Sequence, residues 1–190
     1  MVKKPRFGID IDGTVTCPAT LIPHINKQYN VNIQLEDVVE YSFLSAFPHP
    51  IDAQQFNDWF KANEPEMYKV SETAKYAKEV LSSWQHQYEL FYISARGENV
   101  YTITKDWFIQ EQIPFNHIEL IGSHDKIEAA KTHGVDAFFE DKHDNAVIIA
   151  EELNIPVVLF NTPYNQLPIP KNVIRVNDWL EANHYIKKTF

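Results

Sequence analysis

The chain alternates between short, dense apolar runs and longer stretches in which apolar residues recur every third or fourth position. The runs are RFGIDID, ELFYISA, HIELIG, DAFFED, PVVLFN and NVIRV. Rich in β-branched and aromatic residues, they predict strands ending near residues 12, 95, 122, 141, 161 and 176. Val70, Ala74, Ala77, Leu81 and Trp84 make one apolar stripe, which predicts a helix of about four turns. Further helices are predicted from Asn99 to Gln112, before Pro114, and from Lys126 to His133, stopped by Gly134. Two more follow, from about Asn145 to Leu153 and from Asn177 to Tyr185. Strand alternating with helix predicts an α/β fold, a doubly wound, Rossmann-like parallel sheet that binds ligands at the carboxyl ends of its strands.

Residues 15–68 break this rhythm. They are rich in aromatics and prolines, including Tyr41, Phe43, Phe47, Trp59 and Phe60, and hold no convincing strand. The segment reads as a small helical insertion after the first strand, placed as a lid, with 1–14 and 69–190 forming the core. An extra helical layer on the sheet edge is the alternative.

Composition narrows the partners. Hydrophobic residues make up 44% and aromatics 13% of the 190 residues, which fits a folded domain, and no apolar run approaches the roughly 20 residues of a membrane span. The first residues carry no apolar signal segment, and the single cysteine, Cys17, allows no intramolecular disulfide, so a cytoplasmic setting is expected, with Cys17 as inert packing. A net charge of −9 opposes general nucleic-acid binding but leaves room for a small anionic substrate met by local positive charge.

The chemistry sits at predicted strand ends. In an extended chain Asp10 and Asp12 project to one face, roughly 6–7 Å apart, where they repel unless a cation lies between them. Gly13 and Thr14 follow as a permissive turn; an Asp-Gly hairpin is the competing reading. Ser94, with the backbone N–H of Ala95, could hold a phosphoryl oxygen or merely cap the next turn. Arg96 could grip phosphate bidentately or pair with Glu98. Lys126 opens a helix that Ser123 or Asp125 could cap, against the helix dipole unless an anion lies in front. Glu140 and Asp141 end an aromatic strand, an oxygen-rich pair suited to Mg²⁺ or else a solvated turn capped by Asp144 or Asn145.

In order, DxDGT, a strand-end serine, a helix-opening lysine and a strand-end acidic pair closely resemble the haloacid dehalogenase (HAD) superfamily of phosphohydrolases. With ISAR, HDKIEAAKTHGVDAFFEDK and the insertion, the chain looks most like the cytosolic 5′(3′)-deoxyribonucleotidase type and its bacterial relatives. The resemblance implies Asp10 as the nucleophile forming an aspartyl-phosphate and Asp12 as general acid and base. It implies Mg²⁺ held by Asp10, the carbonyl of Asp12 and Asp141. Glu140 departs from the usual aspartate and is expected to orient a metal-bound water. Ser94, Ala95 and Lys126 would bind the phosphoryl group, Lys126 also tying down Asp10, with Arg96 and Phe43 as further substrate contacts. The implied substrate is a small phosphorylated metabolite, a nucleoside monophosphate first and a sugar phosphate second, and a homodimer is left open. A phosphoacceptor switch of the receiver type is the rival reading; it needs neither the second aspartate nor the insertion.

Overall fold

The strands are apolar almost throughout because both of their faces are covered. In the computed structural model, which describes residues 3–190, the strands are β1 (Arg6–Ile9), β2 (Glu89–Ser94), β3 (His117–Leu120), β4 (Ala137–Glu140), β5 (Val157–Phe160) and β6 (Val173–Val176). They form one six-stranded sheet in the order β3-β2-β1-β4-β5-β6, every neighbouring pair parallel. All four residues of β4 and of β5 are buried, the mark of a parallel sheet between two helical layers. The hairpin reading of Asp-Gly is thereby set aside.

Among the described residues seven α-helices flank the sheet or lie in the insertion: α1 (Ile22–Tyr29), α2 (Ala53–Lys69), α3 (Ala77–Trp84), α4 (Tyr101–Gln110), α5 (Ile127–His133), α6 (His143–Leu153) and α7 (Trp179–Thr189). On one face Phe7, Ile9, Tyr92, Phe139 and Phe160 pack against α3, α4 and α7. Aromatic rings dominate this layer, Trp179 stacking on Phe139 with centroids 5.5 Å apart. On the other face Ile93, Phe138, Val157 and Leu159 pack against α5 and α6. Strand alternation thus sends neighbouring residues of β4 into two different cores. Gly8 in β1 is required there, since a Cβ would lie 2.4 Å from the Phe138 ring.

The predicted helix over 70–84 is corrected. Its first half, residues 70–76, does not form: α2 ends at Lys69, Val70 is 59% exposed, and α3 begins only at Ala77 after Tyr76 at φ +64°. Residues 72–74 are instead committed to a two-stranded neck, in which Thr16 bridges Thr73, Cys17 N–H donates to the Glu72 carbonyl (2.8 Å) and Ala74 N–H to that of Val15 (2.7 Å). The other helices lie close to expectation. Gly134 ends α5 in the left-handed region, and Asp178 caps α7 by accepting from Leu180 and Glu181 N–H.

Between the two sides of the neck the chain builds a separate apolar cluster of Ile22, Ile25, Ile33, Val38 and Phe56, with Tyr29, Trp59 and Phe60 around it. This helical unit is fastened to the core by Trp107 Nε1–H donating to the Ser71 carbonyl at 2.9 Å. No helix among the described residues is long and apolar enough to cross a membrane.

Candidate active site

The carboxyl ends of β1, β2 and β4, at the centre of the sheet, converge on a cavity of about 450 Å³. Its floor includes Asp10, Asp12, Ser94, Lys126 and Asp141, and its roof comes from the helical unit, with Tyr41, Phe43 and Phe60. Asp10 extends β1, its N–H donating to the Phe139 carbonyl of β4 at 2.9 Å. That ladder bond fixes where its carboxylate leaves the sheet.

Lys126, 2% exposed, immediately precedes α5 and donates from Nζ to Asp10 Oδ1 at 2.5 Å and to Glu140 Oε2 at 2.8 Å. Burial alone would depress its pKa, but the two carboxylates outweigh burial and hold the ammonium charged, above its ordinary value. The remaining bonds of Glu140 are internal: Oε1 accepts from the Asp141 and Lys142 N–H groups (3.2 and 3.1 Å) and Oε2 from Asn145 (3.4 Å). Against its burial, the Lys126 ammonium first and then the Lys142 N–H and Asn145 hold Glu140 below the usual carboxylate range. In this arrangement Glu140 holds Lys126.

Asp10 and Asp141 go the other way. Burial pushes the Asp10 carboxyl up to about 7, against the pull of Lys126 and with further upward push from Glu140 and Asp12. Burial, Glu140 and Asp10 likewise raise Asp141 well above the usual range. Three buried carboxylates thus face one buried ammonium, with ligand oxygens of Asp10, Glu140 and Asp141 within 4.8 Å of one another. Asp141 Oδ2 accepts from the Tyr164 hydroxyl at 2.5 Å, while Oδ1 is buried without a hydrogen-bond partner. Gly13 makes room for this carboxylate, as a Cβ there would lie 2.2 Å from Asp141 Oδ2. A surplus of negative charge, an unpartnered oxygen and an all-oxygen donor set fit a hard divalent cation such as Mg²⁺.

Asp12 is separate from this cluster. Its side chain is 30% exposed and is gripped by Arg96, with Nε 2.9 Å from Oδ2 and Nη2 2.7 Å from Oδ1. Arg96 is buried, donates from Nη1 to Thr104 Oγ1 at 3.0 Å and lies 3.7 Å from the centroid of the Tyr68 ring. Both readings of Arg96 therefore change: it does not pair with Glu98, and the fork expected on phosphate holds Asp12. Ser94 is buried at the end of β2, its Oγ accepting from Arg96 N–H at 3.2 Å, and Ala95 lines the cavity beside it. Asp125, rather than Ser123, bonds the start of α5, through Ile127 N–H (3.3 Å). Cys17 lines the cavity instead of packing in the core.

The sequence reading missed Tyr164 and Asn165. They lie in the turn after β5, where Asn165 Nδ2 donates to the Asp141 and Phe160 carbonyls at 2.7 and 2.6 Å. Their signal was positional, the polar TPYN run directly past a strand end at the same edge of the sheet as the other motifs. Tyr68 carries no comparable signal, being one aromatic among many in a helix.

A central parallel sheet with carboxylates at its carboxyl edge and a helical insertion after the first strand is the architecture of HAD-like hydrolases. A haloacid dehalogenase-like family hydrolase from Streptococcus pneumoniae, SP0104, superposes with a TM-score of 0.68 at 15% identity, over 98% of this chain and 100% of that one. The magnesium-bound YfnB protein of Bacillus subtilis superposes with a TM-score of 0.64 at 10% identity, over 97% and 99%. The family model for "5' nucleotidase, deoxy (Pyrimidine), cytosolic type C protein" matches residues 4–190, and the chain belongs to that family of HAD-type phosphomonoesterases. The Halalkalibacterium halodurans protein named "Putative nucleotidase BH1399" is 49% identical over 184 residues, 97% of this chain and 93% of its own. The non-enzymatic switch reading is set aside with it.

Proposed function

We propose that this chain is a Mg²⁺-dependent nucleotidase that hydrolyses nucleoside monophosphates through an aspartyl-phosphate on Asp10. The observation that carries the reading is the buried cluster itself, in which Asp10, Glu140 and Asp141 oppose only Lys126 and one Asp141 oxygen has no partner. Asp10, Asp141 and the backbone carbonyl of Asp12 would hold the ion. When bound, Mg²⁺ supplies the positive charge that keeps these carboxylates ionised and draws charge from a phosphoryl oxygen.

The chain's own residues do the rest. Lys126 fixes one oxygen of Asp10, leaving the other to attack phosphorus as the ester P–O bond breaks. Ser94 and the Ala95 N–H, at the end of β2, receive the phosphoryl oxygens. Asp12, more exposed than Asp10 or Asp141 and aimed by Arg96, delivers a proton to the departing ribose oxygen. It then takes one from the water that cleaves the aspartyl-phosphate. The unit spanning residues 15–68 acts as a lid on its neck, and its aromatic roof with the 450 Å³ cavity suits a mononucleotide. The magnesium-bound YfnB neighbour and the cytosolic family description support the metal and a cytoplasmic setting.

A phosphate-release screen over nucleoside monophosphates and sugar phosphates, with Mg²⁺ or with EDTA, tests this reading. Turnover confined to nucleoside monophosphates and abolished by EDTA is expected; preference for a sugar phosphate overturns the substrate, and undiminished rates in EDTA overturn the metal. Asp12→Ala is expected to lower kcat by about 10²–10⁴-fold, and near-normal turnover would sink its acid/base role.

A further inference from the structure

We propose that His117, Glu119 and His133 form a second cation site, selective for Zn²⁺, on the face of the sheet at its β3 edge. His117 and Glu119 are two residues apart in β3 and so project to one face, which α5 covers with its last residue, His133. The Nε2 atom of His133 lies 2.6 Å from Glu119 Oε2, and that of His117 lies 3.8 Å from the same oxygen. Ligand atoms of all three fall within 4.8 Å of one another.

A tetrahedral zinc with bonds of about 2.1 Å sets its donors about 3.4 Å apart. The His133–Glu119 contact must therefore widen and the His117–Glu119 separation close, each by less than about 1 Å, within the reach of small side-chain rotations. The zinc bonds form to imidazole nitrogens as lone-pair donors, so a proton on either Nε2 leaves to solvent on binding. The pocket is anchored: Phe91 lies beneath both rings, 4.9 Å from His133 and 6.1 Å from His117, and Arg6 Nη1 donates to the His133 carbonyl at 2.9 Å. His117 keeps 45% of its side chain exposed, which leaves a path for the ion and room for water as a fourth ligand.

Two imidazoles and one carboxylate select borderline ions over Mg²⁺, whereas the oxygen-only cluster at the β1 and β4 ends has the reverse preference. One chain would thus sort two cations by donor chemistry. Occupancy would tie the far end of α5 to β3, on the helix that Lys126 begins.

Equilibrium dialysis of the 190-residue chain against Zn²⁺ in excess Mg²⁺ tests the site. One Zn²⁺ per chain is expected, with at least tenfold weaker binding in His117→Ala and none in His117→Ala/His133→Ala. Zinc should raise Tm in the parent but not in the double variant. Asp141→Asn should bind Zn²⁺ like the parent, which separates this site from the active-site cluster. Equal binding by the parent and the double variant, or displacement of Zn²⁺ by Mg²⁺, overturns the proposal. His117→Gln, a near-isosteric change at an exposed strand position, guards against loss by misfolding: retained zinc affinity with an intact fold would also overturn it.

Discussion

On the floor of the cavity Asp10, Lys126, Glu140 and Asp141 are all buried and tied to one another, to backbone or, for Asp141, to the Tyr164 hydroxyl, each through bonds that only a few atoms could make. On the roof Phe43 and Phe60 are half-buried and placed by ring packing, which many apolar side chains could supply. The floor is specified by charge and direction, the roof by volume. Changes to the floor should therefore act on the chemical step, with stability moving according to how each charge is partnered, and changes to the roof on affinity.

The most severe test is Asp10→Asn. Removing the proposed nucleophile should lower kcat by about 10⁴-fold or more while the chain folds normally; steady-state phosphate release beside circular dichroism measures both. Retained turnover would move the nucleophile elsewhere. Within the floor the neighbouring acids should split in sign. Glu140→Gln removes a carboxylate that its partners hold ionised, and should cost about 1–3 kcal/mol of stability and roughly tenfold in kcat. Asp141→Asn removes one that burial disfavours, and should raise Tm in EDTA while abolishing stabilisation by Mg²⁺. Thermal melts that move both variants in one direction would break this division.

Phe43→Ala sharpens the contrast from above. Losing a ring face of about 1 kcal/mol should raise KM about fivefold with kcat nearly unchanged; a drop in kcat alone would place Phe43 with the floor. Smallest is a pH effect. Asp10 ionises in the folded chain at about 7, against an ordinary 3.8, so the stability this shift confers is full below 3.8 and is lost as pH rises through about 7. A cation that needs the ionised form should then stabilise more at pH 8 than at pH 6, read as a Tm increment a few degrees larger. Equal increments would show that Asp10 is already ionised at the lower pH.

How much of this was legible in the sequence follows the same division. Asp10, Ser94 and Asp141 sit where apolar runs stop, and in a parallel sheet those stops share one edge, so strand periodicity located them before any contact was known, while Lys126 was read from the start of the helix that follows β3. The grip of Arg96 on Asp12 joins residues 84 positions apart and left no local pattern. Tyr164 reaches Asp141 only because β4 and β5 are neighbours. The false start of the helix, over residues 70–76, arose because Val70 and Ala74 fit a 3.6-residue spacing by chance, while the neck hydrogen bonds that claim residues 72–74 come from residues 15–17. Periodicity reads what one element buries; it does not read which distant element competes for the backbone.

The neck has one more consequence. Val15–Cys17 and Glu72–Ala74 are hydrogen-bonded side by side, so the chain departs and returns at a single point in space, and the sheet's strand order is indifferent to what is carried between. The helical unit is in effect a passenger with one boarding place. A recombination event that exchanged it there would keep Asp10, Ser94, Lys126 and Asp141 on the strand ends and replace the roof, together with the Tyr68 ring that packs on Arg96.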